Sequence, residues 1–96
     1  MTSSIETLAE TISRLRKKTF LELAQMTKYQ EEEKDCTDGL IKLAIWKDDI
    51  TSSELRIIVQ IYRSWGLGIG QMKSDGFRIT TTGVQPLEPG DLDEFS

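Results

Sequence analysis

Two apolar blocks lie close together in the middle of the chain, and any fold must bury them. The first is Leu40, Ile41, Leu43, Ala44, Ile45 and Trp46, and the second is Leu55, Ile57, Ile58, Val59, Ile61, Tyr62 and Trp65. The first block is apolar on most sides of a helical projection, so it reads as a core helix that Thr37 or Asp38 can cap and Lys47-Asp48-Asp49 ends. The second opens on Thr51-x-x-Glu54, the spacing of a capping box, in which the hydroxyl and the carboxylate each satisfy a backbone N–H of the first turn. Leu55, Ile58, Tyr62 and Trp65 then share one helical face. The β-branched run Ile57, Ile58, Val59 and Ile61 would also suit a buried strand. The capping box and the length of the block decide for a helix.

Upstream, Ser3-x-x-Glu6 is another capping box, followed by Ile5, Leu8, Ile12 and Leu15 at helical spacing with Ala9 widening the stripe. A first helix over 4–18 is expected. A second helical stretch runs from Phe20 to Glu33, with Leu23, Met26 and Tyr29 on one face. No Gly or Pro separates the two, so one long helix over 4–33 stays open. The run Glu31-Glu32-Glu33-Lys34-Asp35 marks a solvated end. Downstream, Gly66, Gly68 and Gly70 break the helix, and Ser74-Asp75-Gly76 reads as a turn between Ile69–Lys73 and Phe77–Thr82. Pro86, Pro89 and Gly90 make 85–96 a disordered tail. The expected fold is thus mainly α. It is a small helical domain of three to four helices with a C-terminal β-hairpin over 1–84, then the acidic tail.

Composition narrows the function. The chain has 96 residues, no histidine and one cysteine. That length suits one domain. Ser-His-Asp and Cys-His catalysis lack their base, and a zinc site within one chain lacks ligands, so no enzyme activity, metal or cofactor is expected. Cys36 stands among acids, which raise a thiol pKa, so an unreactive thiol is expected. MTSSIETLAE has no cationic stretch leading into an apolar run, and no segment is long enough to span a bilayer, so a cytoplasmic location is expected. The formal charge of −4 resides in the tail, where Glu88, Asp91, Asp93 and Glu94 are unopposed. A neutral body disfavours a general nucleic-acid binder.

Other strings weigh little. Gly66-Leu67-Gly68-Ile69-Gly70 lacks the strand-before, helix-after setting of a phosphate loop and reads as a helix C-cap running into a strand. Glu31–Asp38 does not match a calcium loop, and the adjacent Asp48 and Asp49 do not face each other across a cleft. The candidate partner-binding residues are Asp91, Leu92, Asp93, Glu94 and Phe95, a short acidic-apolar segment suited to a groove rimmed by bases, with Tyr62 and Trp65 as aromatic anchors. The segment is similar to the acidic, Phe-containing tips of bacterial single-stranded-DNA-binding proteins, but lacks their closing Pro-Phe. Candidate phosphate contacts are Arg14, Arg16, Lys17, Lys18, Lys73 and Arg78.

Residues 40–82 resemble, in part, the N-terminal region of phage replication initiators of the lambda O type. Thr51, Glu54 and Leu55 fit that family's capped helix, Arg63 and Gly66 its hinge, and Asp75 with Ile79 its strand. The family continues into a DNA-recognition helix that this chain lacks, so no base-reading residue carries over. The resemblance implies a helix-turn-strand scaffold of phage-like origin.

The expected function is that of a non-enzymatic protein-binding adaptor, inhibitor or regulatory subunit, working through an apolar helical surface and the acidic tail. Many large apolar residues in a short chain carry that expectation. The partner is another protein, or a second copy in a homodimer through the helices of 4–33. The alternative is a small DNA-binding regulator or phage-type replication accessory protein, with the hairpin as a wing.

Overall fold

The computed structural model describes residues 3–37, 39–66, 69–87 and 90. In chain order they form α1 (Ser4–Arg16), α2 (Phe20–Ala24), β1 (Tyr29–Cys36), β2 (Gly39–Thr51), β3 (Glu54–Gly66), β4 (Ile69–Thr80) and β5 (Gly83–Gln85). The strands make one antiparallel sheet in the order β1-β2-β3-β4-β5. The expected mainly α domain of three to four helices is therefore wrong. The molecule is an antiparallel meander with two helices on one face.

Both apolar blocks are strands. Successive strand side chains point to opposite faces. In β2, Ile41, Leu43, Ile45 and Lys47 turn to the helix side and are buried. In β3, Leu55, Ile57, Val59 and Ile61 do the same. They join Leu8, Ile12, Leu15, Leu23, Cys36, Phe77 and Ile79 in a single core cluster. Ile58 is also fully buried but stands outside that cluster, as the outward parity of its position requires. β3 is the central strand and adds Ile58 and Tyr62 on its outer face to the inward apolar row, so its sequence satisfies a helical period and a strand period at once. The β-branched run settles the matter, since its side chains suit a pleated surface better than a crowded helix.

The Thr51-x-x-Glu54 spacing closes a hairpin instead of opening a helix. Thr51 pairs with Glu54 across Ser52-Ser53, and the Ser53 N–H donates to Thr51 Oγ1 at 3.2 Å. The same residue types satisfy backbone donors in either setting.

At the N-terminus the Ser3 cap forms as expected, while the Glu6 carboxylate accepts from the Ser3 hydroxyl. Ser3 Oγ accepts from Glu6 N at 3.2 Å, and α1 buries Leu8, Ile12 and Leu15 against the sheet. The second helix is far shorter than 20–33. Thr19 and Glu22 form a complete capping box, and α2 stops at Ala24. There is thus no helix over 4–33 to dimerise through. The acidic run from Glu31 lies in β1, at the sheet edge, where alternate carboxylates stay solvated.

The expected hairpin is displaced. Ser74, Asp75 and Gly76 lie inside β4, and the true turn is Thr81-Thr82, with Thr80 paired to Gly83. Gly83, the first strand residue after that turn, has φ +151°, a region costly for residues that carry a side chain. Gly76 is required for another reason: a Cβ there would sit 2.0 Å from the Ile57 carbonyl oxygen. The initiator-like scaffold is absent, since Arg63 and Gly66 lie in β3, and Asp75 and Ile79 in β4. No helix among the described residues is long and apolar enough to cross a membrane.

Candidate functional site

The helices cover one side of the sheet, α1 lying against β3 and β4. Among the described residues, no helix or strand lies over the other side, so the outer face is the surface to examine. Its side chains come from the even positions of β2, β3 and β4 and the odd positions of β1.

The register places these residues in rows. Glu33, Lys42, Tyr62 and Met72 make one row; Glu31, Ala44, Gln60 and Ser74 the next; Tyr29, Trp46, Ile58 and Gly76 the third. Tyr29 and Trp46 meet edge to face with centroids 4.3 Å apart. Beside the first row, near the β1–β2 turn, stands Leu40.

The two ends of this face differ in character. Near the β2–β3 turn it is closed by ion pairs. Arg56 donates to Asp48 Oδ2 through Nε at 3.0 Å and Nη2 at 2.5 Å, and Arg78 Nη1 donates to Glu54 Oε1 at 2.5 Å. Arg56 and Arg78 are register neighbours, so each carboxylate also relieves their mutual repulsion. The opposite end is apolar and open: Leu40 is 54% exposed, Tyr62 43% and Met72 45%. Glu33, Leu40, Ile41, Lys42 and Tyr62 line a shallow hollow of about 190 Å³ there. The Tyr62 ring is held down over Gly70, where a Cβ would come within 2.5 Å of its hydroxyl.

Charge on the β1 side of the face is acidic. The Tyr29 hydroxyl donates to Glu31, and that bond, followed by the nearby Lys42 ammonium, holds the Glu31 carboxyl below its usual range. The same bond raises the Tyr29 pKa. Lys42 approaches Glu31 at 3.5 Å. Glu33 and Asp35 continue the row of carboxylates toward the β1–β2 turn, beside Leu40.

The structure divides the sequence-derived candidates. Tyr62 is at the centre of the exposed apolar end. Trp65 lies in β3, and its side chain is outside the described part, as are Asp91, Leu92, Asp93, Glu94 and Phe95. The phosphate set is scattered. Arg14, Arg16, Lys17 and Lys18 lie at and just beyond the end of α1, Lys73 projects from β4 on the helix side, and Arg78 is on the outer face engaged by Glu54. Arg14 faces the β1 side of α1, whereas Arg16 and Lys17 line a groove on the β4 side. A winged arrangement of helix and hairpin is not formed. The expected helix C-cap at the glycine string is not formed, since Gly66 ends β3 and pairs with Ile69 of β4; Leu67 and Gly68 lie outside the described residues. Asp48 is spent on Arg56, and Cys36 is buried beside Thr7 Oγ1 at 3.5 Å. No group of three or more metal-ligating side chains comes together among the described residues.

Leu40, Met72 and Tyr29 were missed as candidates. Their signal is the alternation itself: once β2 to β4 are read with a period of two, each falls on the face opposite the core. No family model, curated protein or solved structure matches this chain.

Proposed function

We propose that the chain is a non-enzymatic protein-binding module, an adaptor, inhibitor or regulatory subunit, that takes its partner on the outer sheet face. One observation carries the reading: Leu40, Tyr62 and Met72 form an exposed apolar end on a face whose other end is closed by its own ion pairs. Exposed apolar patches on small domains mark contact surfaces. The carboxylates of Glu33 and Asp35 beside Leu40 suit a partner that presents apolar anchors flanked by Lys or Arg. A reducing, cytoplasmic setting fits the single buried thiol of Cys36.

The test is affinity purification from the native host with the wild type and with Leu40→Glu/Tyr62→Glu. The double variant is expected to lose the proteins that the wild type retains while keeping its circular dichroism spectrum. Retention of the same set would overturn the reading. Binding through apolar anchors should survive raised salt, whereas retention through nucleic acid would fall steeply with it.

A further inference from the structure

β5 pairs only with Arg78, Ile79 and Thr80, and it hands the chain on at Gln85. Each residue of β5 stands one place further back along β4, so the chain leaves heading past Phe77 toward Asp75 and Lys73. Strand pairing does not carry it far. Thr80 and Gly83 close a two-residue turn and exchange hydrogen bonds, so Arg78 and Gln85 do the same and position 89 falls on the same alternation. Pro89 has no N–H to donate, and Gly90, at φ +90°, departs from an extended strand. The Gly76 N–H, which by that alternation faces this edge, is already held by Asp75 Oδ1 at 2.8 Å. A longer β5 is thus closed to the chain, which leaves side chains to make any contact beyond Leu87.

The groove on that side suits an acidic segment with apolar anchors. Ala9 and Ile12 of α1 give it apolar walls, Arg16 and Lys17 lie toward the end of α1, and Asp75 of β4 faces them across a space of about 430 Å³. Lys73 is exposed on the same side of β4. Among the described residues no carboxylate lies within ion-pair distance of Arg16, Lys17 or Lys73. Asp75, the acid among the lining residues, is engaged with the Gly76 N–H.

We propose that the acidic segment Asp91–Phe95 docks in this groove of its own chain. Leu92 and Phe95 rest on Ala9 and Ile12, and Asp91, Asp93 and Glu94 meet Arg16, Lys17 and Lys73. Charge selects both occupant and place. Residues 85–96 carry acids and no base, and the groove offers bases that no described carboxylate neutralises. The apolar hollow at Tyr62 is lined by Glu33, and its Lys42 already approaches Glu31, so that hollow repels the segment. Length agrees. Asp91 follows Gln85 by six residues, and Lys73 precedes Arg78, the partner of Gln85, by five, so the acids draw level with the bases without stretching the chain. On its way the segment passes the stretch 72–77 of β4, which no described strand covers, and so guards an edge that a foreign strand would otherwise join.

The inference is independent of the proposed partner on the outer face. Its test attaches a nitroxide to Ser96→Cys of the full chain and reads the broadening of backbone amide signals by NMR. Cys36 is buried, and the unsubstituted chain controls for stray labelling. At about 10 mM salt the amides of 9–17 and 73–76 are expected to broaden most and those of β1 least, and at about 1 M salt the contrast should fade. Arg16→Glu with Lys17→Glu should lower the ratio of docked to free segment about tenfold. Asp93→Lys with Glu94→Lys, which alters only the tail, should do the same, and the four changes together should restore docking. Leu92→Ala with Phe95→Ala should weaken it at either salt. Leu40→Glu should leave the broadening unchanged, so loss of the partner and loss of docking are read separately. Uniform broadening at low salt, broadening centred on Tyr62, or a groove signal indifferent to both charge reversals would overturn the inference. So would broadening of ¹⁵N-labelled chains mixed with unlabelled chains that carry the nitroxide, since the contact would then run between copies.

Discussion

Lys47 shows how one residue can hold two elements together. It is 6% exposed, on the helix side of β2, and its Nζ donates to the Ala24 carbonyl at 2.6 Å. A cation there meets the unsatisfied carbonyls at the end of α2, where the helix dipole favours it. Its backbone N–H also takes the Lys28 carbonyl at 2.9 Å, so the chain leaving α2 is fixed to β2 twice. Lys47→Met keeps the stem and removes the bond. It should cost about 1–2 kcal/mol in urea unfolding and speed amide exchange in α2 more than in the sheet. At the other end of α2, Glu22 is more acidic than usual, chiefly because it accepts from the Thr19 backbone N–H and then from its hydroxyl. A carboxyl whose pKa is depressed by folding stabilises the fold above its unfolded value and loses that contribution as pH falls. Amide exchange followed from pH 4.5 downward should therefore show α2 fraying before the sheet opens.

At the scale of elements, the strands rest on two glycines with different demands. Gly76→Ala drives a Cβ into the Ile57 carbonyl and should cost about 2 kcal/mol or more, since backbone must move to admit it. Gly39→Ala meets no neighbour within 4 Å and pays only for its φ of +122°, about 1 kcal/mol. Thermal melts of the two variants decide the order. The elements themselves were partly legible. α1 could be read because Ser3 and Glu6 agree with the spacing of Leu8, Ile12 and Leu15. β2 and β3 were harder, because Ala44 and Ile58 are buried on the outer face beside the inward rows, which blurs their alternation and lets a helical period fit as well. Thr51 and Glu54 then reinforced the error, since a hydroxyl beside a free N–H serves a turn as well as a helix. The acids of β1 read as a helix end because edge strands shed their alternation in favour of charge.

Across the whole molecule, that misreading also hid the site. Tyr62 could be picked out as an aromatic anchor, but Leu40 and Met72 become its neighbours only when three strands are laid side by side. No local pattern in sequence brings residues 40, 62 and 72 together. A core substitution should be felt by every element: Leu23→Ala, at a position with no exposure, should cost about 2–5 kcal/mol and lower the melting temperature without changing the outer face. The meander order has a further consequence for the order of events during synthesis. Each strand's partner is the one made just before it, so hairpins can close as the chain leaves the ribosome. α1 is different, because its seat is built from β3 and β4, which emerge tens of residues later. Translated ahead of both strands, α1 must wait, its oily stripe uncovered, for the sheet that will receive it.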